Sequence, residues 1–207
     1  MNNSGSDIIA QLNVSRETLD QLVVFVEVLR KWNDRINLVS RSSMDDVWSR
    51  HILDSAQLFR CVEPAAHWVD IGTGGGLPGM IVAIMAQREW PGTRVTMIES
   101  DQRKVAFLRA AAREVGVTCA FKAGRIESVP QQGANILSAR ALADLKTLMK
   151  YTKLHMLPDG VALFPKGAAW EKEVADAQEQ WHFDYEAIKS LTNPQSVILK
   201  IKGVSRV

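Results

Sequence analysis

The stretch Val69-Asp-Ile-Gly-Thr-Gly-Gly-Gly-Leu-Pro-Gly79 has the composition of a glycine-rich turn between a strand and a helix. The apolar residues before it predict a short strand, Trp68–Ile71. Pro78 predicts the start of a helix, because a proline at the first helical position removes no needed backbone donor. The glycines allow positive φ angles and a close approach of the backbone to a ligand. The turn therefore predicts a ligand site at the carboxyl end of a strand.

Strands and helices are predicted to alternate after this turn. The strands are Arg94–Ile98, Val117–Phe121, Ile136–Ser138, Val161–Phe164, Phe183–Ile188 and Val197–Ile201. The helices are one capped by Asp101, one carrying Leu145 to Met156, and one from Ala168 to Gln180, with a turn at Pro158-Asp-Gly160. Alternation predicts an α/β fold with a mostly parallel sheet of seven strands. The two successive strands at the end predict an antiparallel hairpin, which is typical of class I methyltransferases.

The N-terminal part is predicted to be helical. After a frayed start over residues 1–13, Ser15 has the character of an N-cap. Apolar positions with helical spacing follow it: Leu19, Leu22, Val23, Val26 and Leu29. A second helix is predicted from about Met44 to about Val62. We therefore expect a helical extension over residues 1–62 and a Rossmann-like domain over residues 63–207.

Composition favours a soluble globular protein, with 46% hydrophobic and 23% charged residues. No apolar run reaches about 18 residues, and the polar start lacks the features of a signal peptide, so we expect a cytoplasmic protein without a membrane partner. The net charge of +2 neither requires nor excludes a nucleic-acid partner. Cys61 and Cys119 are far apart and outside any CxxC motif, which argues against a metal site.

The type of cofactor is indicated by the acidic residues around the turn. A GxGxxG pattern at Gly74, Gly76 and Gly79 is by itself compatible with a dinucleotide. Asp70 would repel a pyrophosphate, whereas it suits the turn and the cationic end of S-adenosylmethionine. Glu99, at the end of the second strand, suits a ribose diol of either cofactor. The remaining chain offers little for a dehydrogenase substrate domain. S-adenosylmethionine is therefore favoured, and a nucleotide-binding dehydrogenase-like module is the alternative.

A series of short motifs makes the sequence similar to one family over nearly the whole chain. The motifs are Lys31-Trp-Asn33 with Asn37-Leu38, Arg50-His-Ile-Leu-Asp-Ser55, Val69-Asp-Ile-Gly-Thr-Gly74 with Leu77-Pro-Gly79, Ile98-Glu-Ser100 with Phe107-Leu108, Arg125-Ile-Glu127, Ser138-Ala-Arg140 and Pro165-Lys-Gly167. In these motifs the chain resembles the RsmG (GidB) family of bacterial small-subunit rRNA guanine-N7 methyltransferases. The motifs in the helical N-terminal part are the most specific to this family.

The resemblance implies a class I, Rossmann-like methyltransferase that uses S-adenosylmethionine. It implies that the substrate is one guanine, position 527, in 16S rRNA, within the small ribosomal subunit or its assembly intermediate, and that the protein is a monomer. The cofactor contacts that it implies are Gly72, Leu77, Ile126, Glu127 and Arg140, with Gly74 and Glu99 as further contacts.

The residues after the fourth strand limit which atom of the substrate can accept the methyl group. Methylation of base amino groups commonly uses an Asn/Asp-Pro-Pro-aromatic motif, whereas this chain has Ser138-Ala-Arg-Ala-Leu142. Methylation of pyrimidine C5 needs a cysteine in this region, and the chain has no cysteine after Cys119. Guanine N7 has a free lone pair in the neutral base. We therefore expect in-line transfer by positioning, without a dedicated general base.

Several polar residues are candidates for positioning the substrate. Arg140 can donate to guanine O6 or to phosphate, although a cofactor contact is preferred. Lys166 is either a phosphate contact or a solvated loop lysine. Residues expected to support the mouth of the site are Asn33, Asn37 and His51, and His51 is spaced to pair with Asp54. The open alternatives are a class I methyltransferase that acts on a protein or small molecule, and a non-catalytic ribosome-assembly factor.

Overall fold

The computed structural model describes residues 10–207. Most of the predicted frayed start, residues 1–9, lies outside this range. Within the range, residues 10–12 are helical and Leu12 is buried in the core, so the prediction that fraying extends to Asn13 was wrong there.

The N-terminal extension is helical, as predicted, but its second part is divided. Helix α1 spans Arg16–Asn33, and the Ser15 side chain accepts a hydrogen bond from the Thr18 N–H. A single helix from Met44 to Val62 was expected. Three short elements are present instead: α2 (Arg41–Met44), a π-helix (Trp48–Leu53) and α3 (Asp54–Phe59).

The sheet has seven strands in the order β3-β2-β1-β4-β5-β7-β6. The strands are β1 (His67–Ile71), β2 (Arg94–Glu99), β3 (Ala120–Ala123), β4 (Ala134–Ser138), β5 (Met156–Lys166), β6 (Trp181–Lys189) and β7 (Val197–Arg206). Strands β1 to β5 are parallel to one another, and β7 runs antiparallel between β5 and β6. The predicted sheet with a closing antiparallel hairpin is confirmed.

Helices cover both faces of the sheet. They are α4 (Gly79–Glu89), α5 (Gln102–Val115), a 3-10 turn (Ile126–Ser128), α6 (Leu145–His155) and α7 (Trp170–Gln178). On one face α1 packs on α4 and α5 in a single hydrophobic cluster, where Phe25 meets Phe107 with ring centroids 6.4 Å apart. On the other face α6 and α7 form the second cluster. No helix among residues 10–207 is long and apolar enough to cross a membrane.

Several predicted boundaries differ from the structure. Strand β3 begins at Ala120 rather than Val117, and α7 is shorter than predicted at both ends. The predicted turn at Pro158-Asp-Gly160 lies inside β5, where the register against β4 shifts between Ala134 and Ile136. The strand accommodates a proline there because the ladder is already interrupted.

Candidate cofactor and substrate site

The glycine turn is built from three left-handed residues. Gly72, Gly74 and Gly76 have φ angles of +63°, +56° and +78°. A Cβ on Gly76 would lie 2.5 Å from Met80 Cγ, so helix α4 closes that side of the turn. A Cβ on Gly74 would meet only the Gly72 carbonyl oxygen, at 3.9 Å. The turn is therefore closed towards the helix and open at Gly74.

Asp70 organises the turn from beneath. Its carboxylate is fully buried, and it accepts hydrogen bonds from the Gly79 N–H (3.0 Å) and the Ser138 hydroxyl (2.7 Å). The same hydroxyl accepts a hydrogen bond from Trp68 Nε1–H at 2.8 Å. Burial raises the pKa of Asp70 to about 6, although both hydrogen bonds oppose this. Asp70 thus fixes the start of α4. Because its carboxylate is buried, a ligand can interact with it only electrostatically, without direct contact.

Glu99 joins the turn to the next strand and helix. One carboxylate oxygen accepts a hydrogen bond from the Gly74 N–H (2.9 Å) and the other from the Asp101 N–H (2.8 Å). Each oxygen retains acceptor capacity for a further hydrogen bond. The structure therefore brings Glu99 and Gly74 together, as a site for a ribose diol requires.

The 3-10 turn that carries Ile126 and Glu127 is held by helix α6. Tyr151 donates its hydroxyl to Glu127 Oε1 at 2.6 Å, and His155 Nε2 lies 2.9 Å from the Ile126 carbonyl oxygen. His155 is fully buried, and this desolvation lowers its pKa, so the neutral ring donates through Nε2–H. Sequence reasoning missed Tyr151 and His155. Their spacing of four residues, which places them on one helix face, was the available signal.

Arg140 is bound by the N-terminal extension. Its Nη1 donates to Asp54 Oδ2 and to the Arg50 carbonyl oxygen, both at 3.0 Å, and its Nη2 donates to His51 Nδ1 at 2.9 Å. The expected pairing of His51 with Asp54 was wrong, because the guanidinium lies between them. The π-helix brings both side chains to Arg140, in line with the frequent location of π-helical turns at functional sites.

His51 is neutral and has both ring nitrogens occupied. Its Nε2 lies 2.8 Å from the Ser43 Oγ, which itself donates to the Ser40 carbonyl oxygen and so accepts from His51. Burial, followed by the charge of Arg140, lowers the pKa of His51 to about 4. In this arrangement His51 orients Arg140 and is not free to act as a base.

The segment after α1 covers the glycine turn. Asn33 Oδ1 accepts hydrogen bonds from the N–H groups of Leu38 (2.9 Å) and Val39 (3.0 Å). Leu38 packs against the glycine turn, because a Cβ added to Gly75 would lie 3.4 Å from the Cβ of Leu38. Asn37 is exposed at the surface of the same segment. Asn33 therefore fixes the backbone of the segment whose Leu38 packs against the glycine turn.

The two remaining predicted cofactor contacts, Gly72 and Leu77, are covered by neighbouring residues. Leu142, which sequence reasoning missed, lies over Gly72, because a Cβ added to Gly72 would be 2.4 Å from Leu142 Cδ1. Leu77 is buried in the core beneath the turn.

Lys166 is not a solvated lysine, because its side chain is 9% exposed. Its Nζ donates to the Ala143 carbonyl oxygen at 2.9 Å and to Glu173 Oε2 at 2.7 Å.

The family assignment follows from a comparison with known proteins. Residues 18–201 match the family model GidB, described as rRNA small subunit methyltransferase G. The chain belongs to the GidB family. A GidB relative from Ruegeria sp. (strain TM1040), named Ribosomal RNA small subunit methyltransferase G, is 57% identical over 95% of this chain and 96% of its own length. A relative with the same name from Ruegeria pomeroyi is 55% identical over 95% of this chain and 96% of its own length.

Solved structures agree with the GidB assignment at the level of the fold. A TehB-like SAM-dependent methyltransferase from Corynebacterium glutamicum superposes with a TM-score of 0.59 at 12% identity, over 84% of this chain and 97% of that one. An O-methyltransferase from Bacillus cereus in complex with SAH gives a TM-score of 0.57 at 15% identity, over 86% of this chain and 90% of that one. The predicted family, the class I fold and the methyl donor S-adenosylmethionine are confirmed.

The residues of this GidB chain fit S-adenosylmethionine. The open side of the turn at Gly74 adjoins the carboxylate of Glu99, which suits the ribose. Beyond β3, the turn of Ile126 and Glu127 stands at the same edge of the sheet, because β1, β2 and β3 are parallel. The buried charge of Asp70 complements a cationic ligand above the turn.

Proposed function

We propose that this protein methylates N7 of a single guanine, position 527, in 16S rRNA. The description of its family as rRNA small subunit methyltransferases supports the substrate class. The bound cofactor supplies an electrophilic methyl group on its sulfonium. The substrate is the small ribosomal subunit or its assembly intermediate, the enzyme acts as a monomer, and a ribosomal substrate implies action in the cytoplasm.

The observation that carries the choice of N7 is the state of the polar side chains gathered at the carboxyl end of β4. The Ser138 hydroxyl donates to Asp70, and the Arg140 guanidinium is bound by Asp54 and His51. His51 has both nitrogens occupied. None of these groups can remove a proton, and guanine N7 requires no proton removal. The arrangement therefore favours in-line transfer by positioning, without a dedicated general base.

We assign the cofactor contacts to the sheet edge formed by the carboxyl ends of β1 and β2, the 3-10 turn and the loop after β4. They are Gly72, Gly74, Leu77, Glu99, Ile126, Glu127 and Arg140. Residues that support the substrate side are Asn33, Asn37, His51 and Lys166, of which His51 acts through Arg140. We assign residues 1–62 to the N-terminal extension and residues 63–207 to the methyltransferase domain, and the described part of the extension, residues 10–62, completes the site.

The test is chemical cleavage at 7-methylguanine. Borohydride followed by aniline cleaves 16S rRNA at the methylated guanine in the parent strain. The cut at position 527 is expected to disappear when the gene is deleted and to return when the gene is restored. A cut that persists in the deletion strain contradicts the proposal. Methyl transfer to protein or to a small molecule by the purified enzyme would indicate another acceptor.

A further inference from the structure

A cleft of about 350 Å³ lies at the carboxyl ends of β4 and β5. Because β1, β4 and β5 are parallel, it opens on the same edge of the sheet as the glycine turn. Its lining includes Arg140, Ala141, Pro165, Ser196 and Ile198. This volume is at the small end of the range for ligand pockets and accommodates one base taken out of an RNA stack.

An ion pair within this cleft has unused hydrogen-bonding capacity. Lys166 Nζ lies 2.7 Å from Glu173 Oε2, and the two side chains are 9% and 29% exposed. The ammonium has three donors, of which the contacts with Glu173 and the Ala143 carbonyl use two. Glu173 Oε2 also accepts a hydrogen bond from the Leu145 N–H at 3.0 Å. Among residues 10–207, no hydrogen bond reaches Glu173 Oε1.

The free groups of this pair match one edge of guanine. That edge presents an acceptor, O6, beside two donors, N1–H and the N2 amino group. Lys166 offers a donor beside the acceptor Oε1 of Glu173, which is the complementary order. Adenine presents an amino group at position 6 and a bare N1, so it would place a donor against Lys166 and an acceptor against Glu173.

We infer that Lys166 and Glu173 select guanine in this cleft, with Lys166 donating to O6 and Glu173 accepting from N1–H and the N2 amino group. The inference rests on the proposed methylation of guanine N7. The pair contacts the edge of the base that includes N1 and N2, so N7 remains free to react.

Asp54 is the other carboxylate in the cleft, and it is less suited to this role. Its Oδ2 accepts from Arg140, and its Oδ1 accepts from Gln57 (2.9 Å) and Thr192 (2.8 Å). Both oxygens of Asp54 already accept hydrogen bonds from the protein, whereas Glu173 Oε1 accepts none among residues 10–207 and is the better acceptor for a ligand.

The test compares guanosine with inosine, which lacks only the N2 amino group. Small subunits are reconstituted with 16S rRNA that carries either nucleoside at the target position, and kcat/KM is measured for each. The wild-type enzyme is expected to prefer guanosine by about tenfold or more, because an acceptor in the cleft is left unpaired by inosine. Equal rates on the two substrates would overturn the inference and leave the proposed function standing.

The matched variants are Glu173→Gln and Glu171→Gln. Glu173→Gln keeps a carbonyl for Lys166 and Leu145 but presents an amide N–H where Oε1 was. It should lower kcat/KM on guanosine by about tenfold and reduce the preference over inosine to below about threefold. Its affinity for S-adenosylmethionine should be unchanged by calorimetry. Glu171, exposed on the same helix, should behave like wild type when changed.

The variants also separate recognition from a structural role. If the ion pair only secures the loop at Ala143 to Leu145, Glu173→Gln lowers the rates on guanosine and inosine by the same factor, and the inference is wrong. If wild-type enzyme with bound cofactor methylates neither RNA, the proposed function itself fails.

Discussion

Arg140 Nη1 lies 3.0 Å from Asp54 Oδ2, and this ion pair joins the loop after β4 to the N-terminal extension. The side chains of Arg140 and Asp54 are 15% and 19% exposed, so solvent screens the pair only partly. Asp54 Oδ1 also accepts a hydrogen bond from Thr192 Oγ1, in the loop between β6 and β7. One carboxylate therefore connects three segments that are distant in the sequence.

Replacing Asp54 should destabilise the protein. Asp54→Ala leaves the Arg140 guanidinium without its counter-charge in a mostly buried position, which typically costs about 3 kcal/mol. The free energy of unfolding, measured with urea, should fall by about that amount. Asp34→Ala, at an exposed position on the same extension, should change it by less than about 0.5 kcal/mol. Similar values for the two variants would show that the pair contributes no stability.

Stability should depend on pH through His51. Its pKa is lowered from 6.5 to about 4 in the folded protein, so the unfolded chain binds more protons between these values. The contribution of His51 to the free energy of unfolding is thus expected to fall as pH decreases from 6.5 towards 4. His51→Gln can keep a donor for Ser43 and an acceptor for Arg140 but cannot titrate. Its loss of stability between pH 7.5 and pH 5 should be smaller than that of wild type, and equal losses would contradict the prediction.

Gly74 and Gly116 form a matched pair for locating the cofactor. Both have positive φ angles, +56° and +73°, and a Cβ on either would meet no atom closer than 3.9 Å. An alanine at either position should therefore cost about 1 kcal/mol of stability. Only Gly74→Ala places a methyl group in the proposed cofactor space. Titration calorimetry should show about tenfold weaker binding of S-adenosylmethionine for Gly74→Ala and no change for Gly116→Ala. Equal affinities would refute this placement of the cofactor.

Tyr151 should affect cofactor binding without contacting the cofactor. Tyr151→Phe removes the hydrogen bond to Glu127 Oε1, so the Glu127 side chain of the 3-10 turn is no longer held by α6. The dissociation constant of S-adenosylmethionine should rise by roughly threefold to tenfold, which corresponds to the usual net contribution of one hydrogen bond, about 1 kcal/mol. Tyr185→Phe, at an exposed position on β6, serves as the control. If kcat falls while cofactor affinity stays the same, Tyr151 has a different role.

Local sequence patterns predicted most of the fold for identifiable reasons. The glycine turn, Ser15 as an N-cap and the alternating strands each depend on residues close together in the chain, where backbone preferences act directly. The same reasoning failed at the π-helix of Trp48–Leu53 and at the shift inside β5. In both places packing against distant segments overrides the local preference.

The candidate site divides in the same way. Sequence by itself determined the turn from Asp70 to Gly79, the acid Glu99 on the following strand, and the motifs that place the chain in its family, because these are local features. Only the tertiary structure decided that Arg140 is bound by His51 and Asp54, that Tyr151 and His155 hold the turn of Ile126 and Glu127, and that Lys166 pairs with Glu173. Those contacts join helices and loops from separate parts of the chain, and their partners are set by how the layers pack around the sheet.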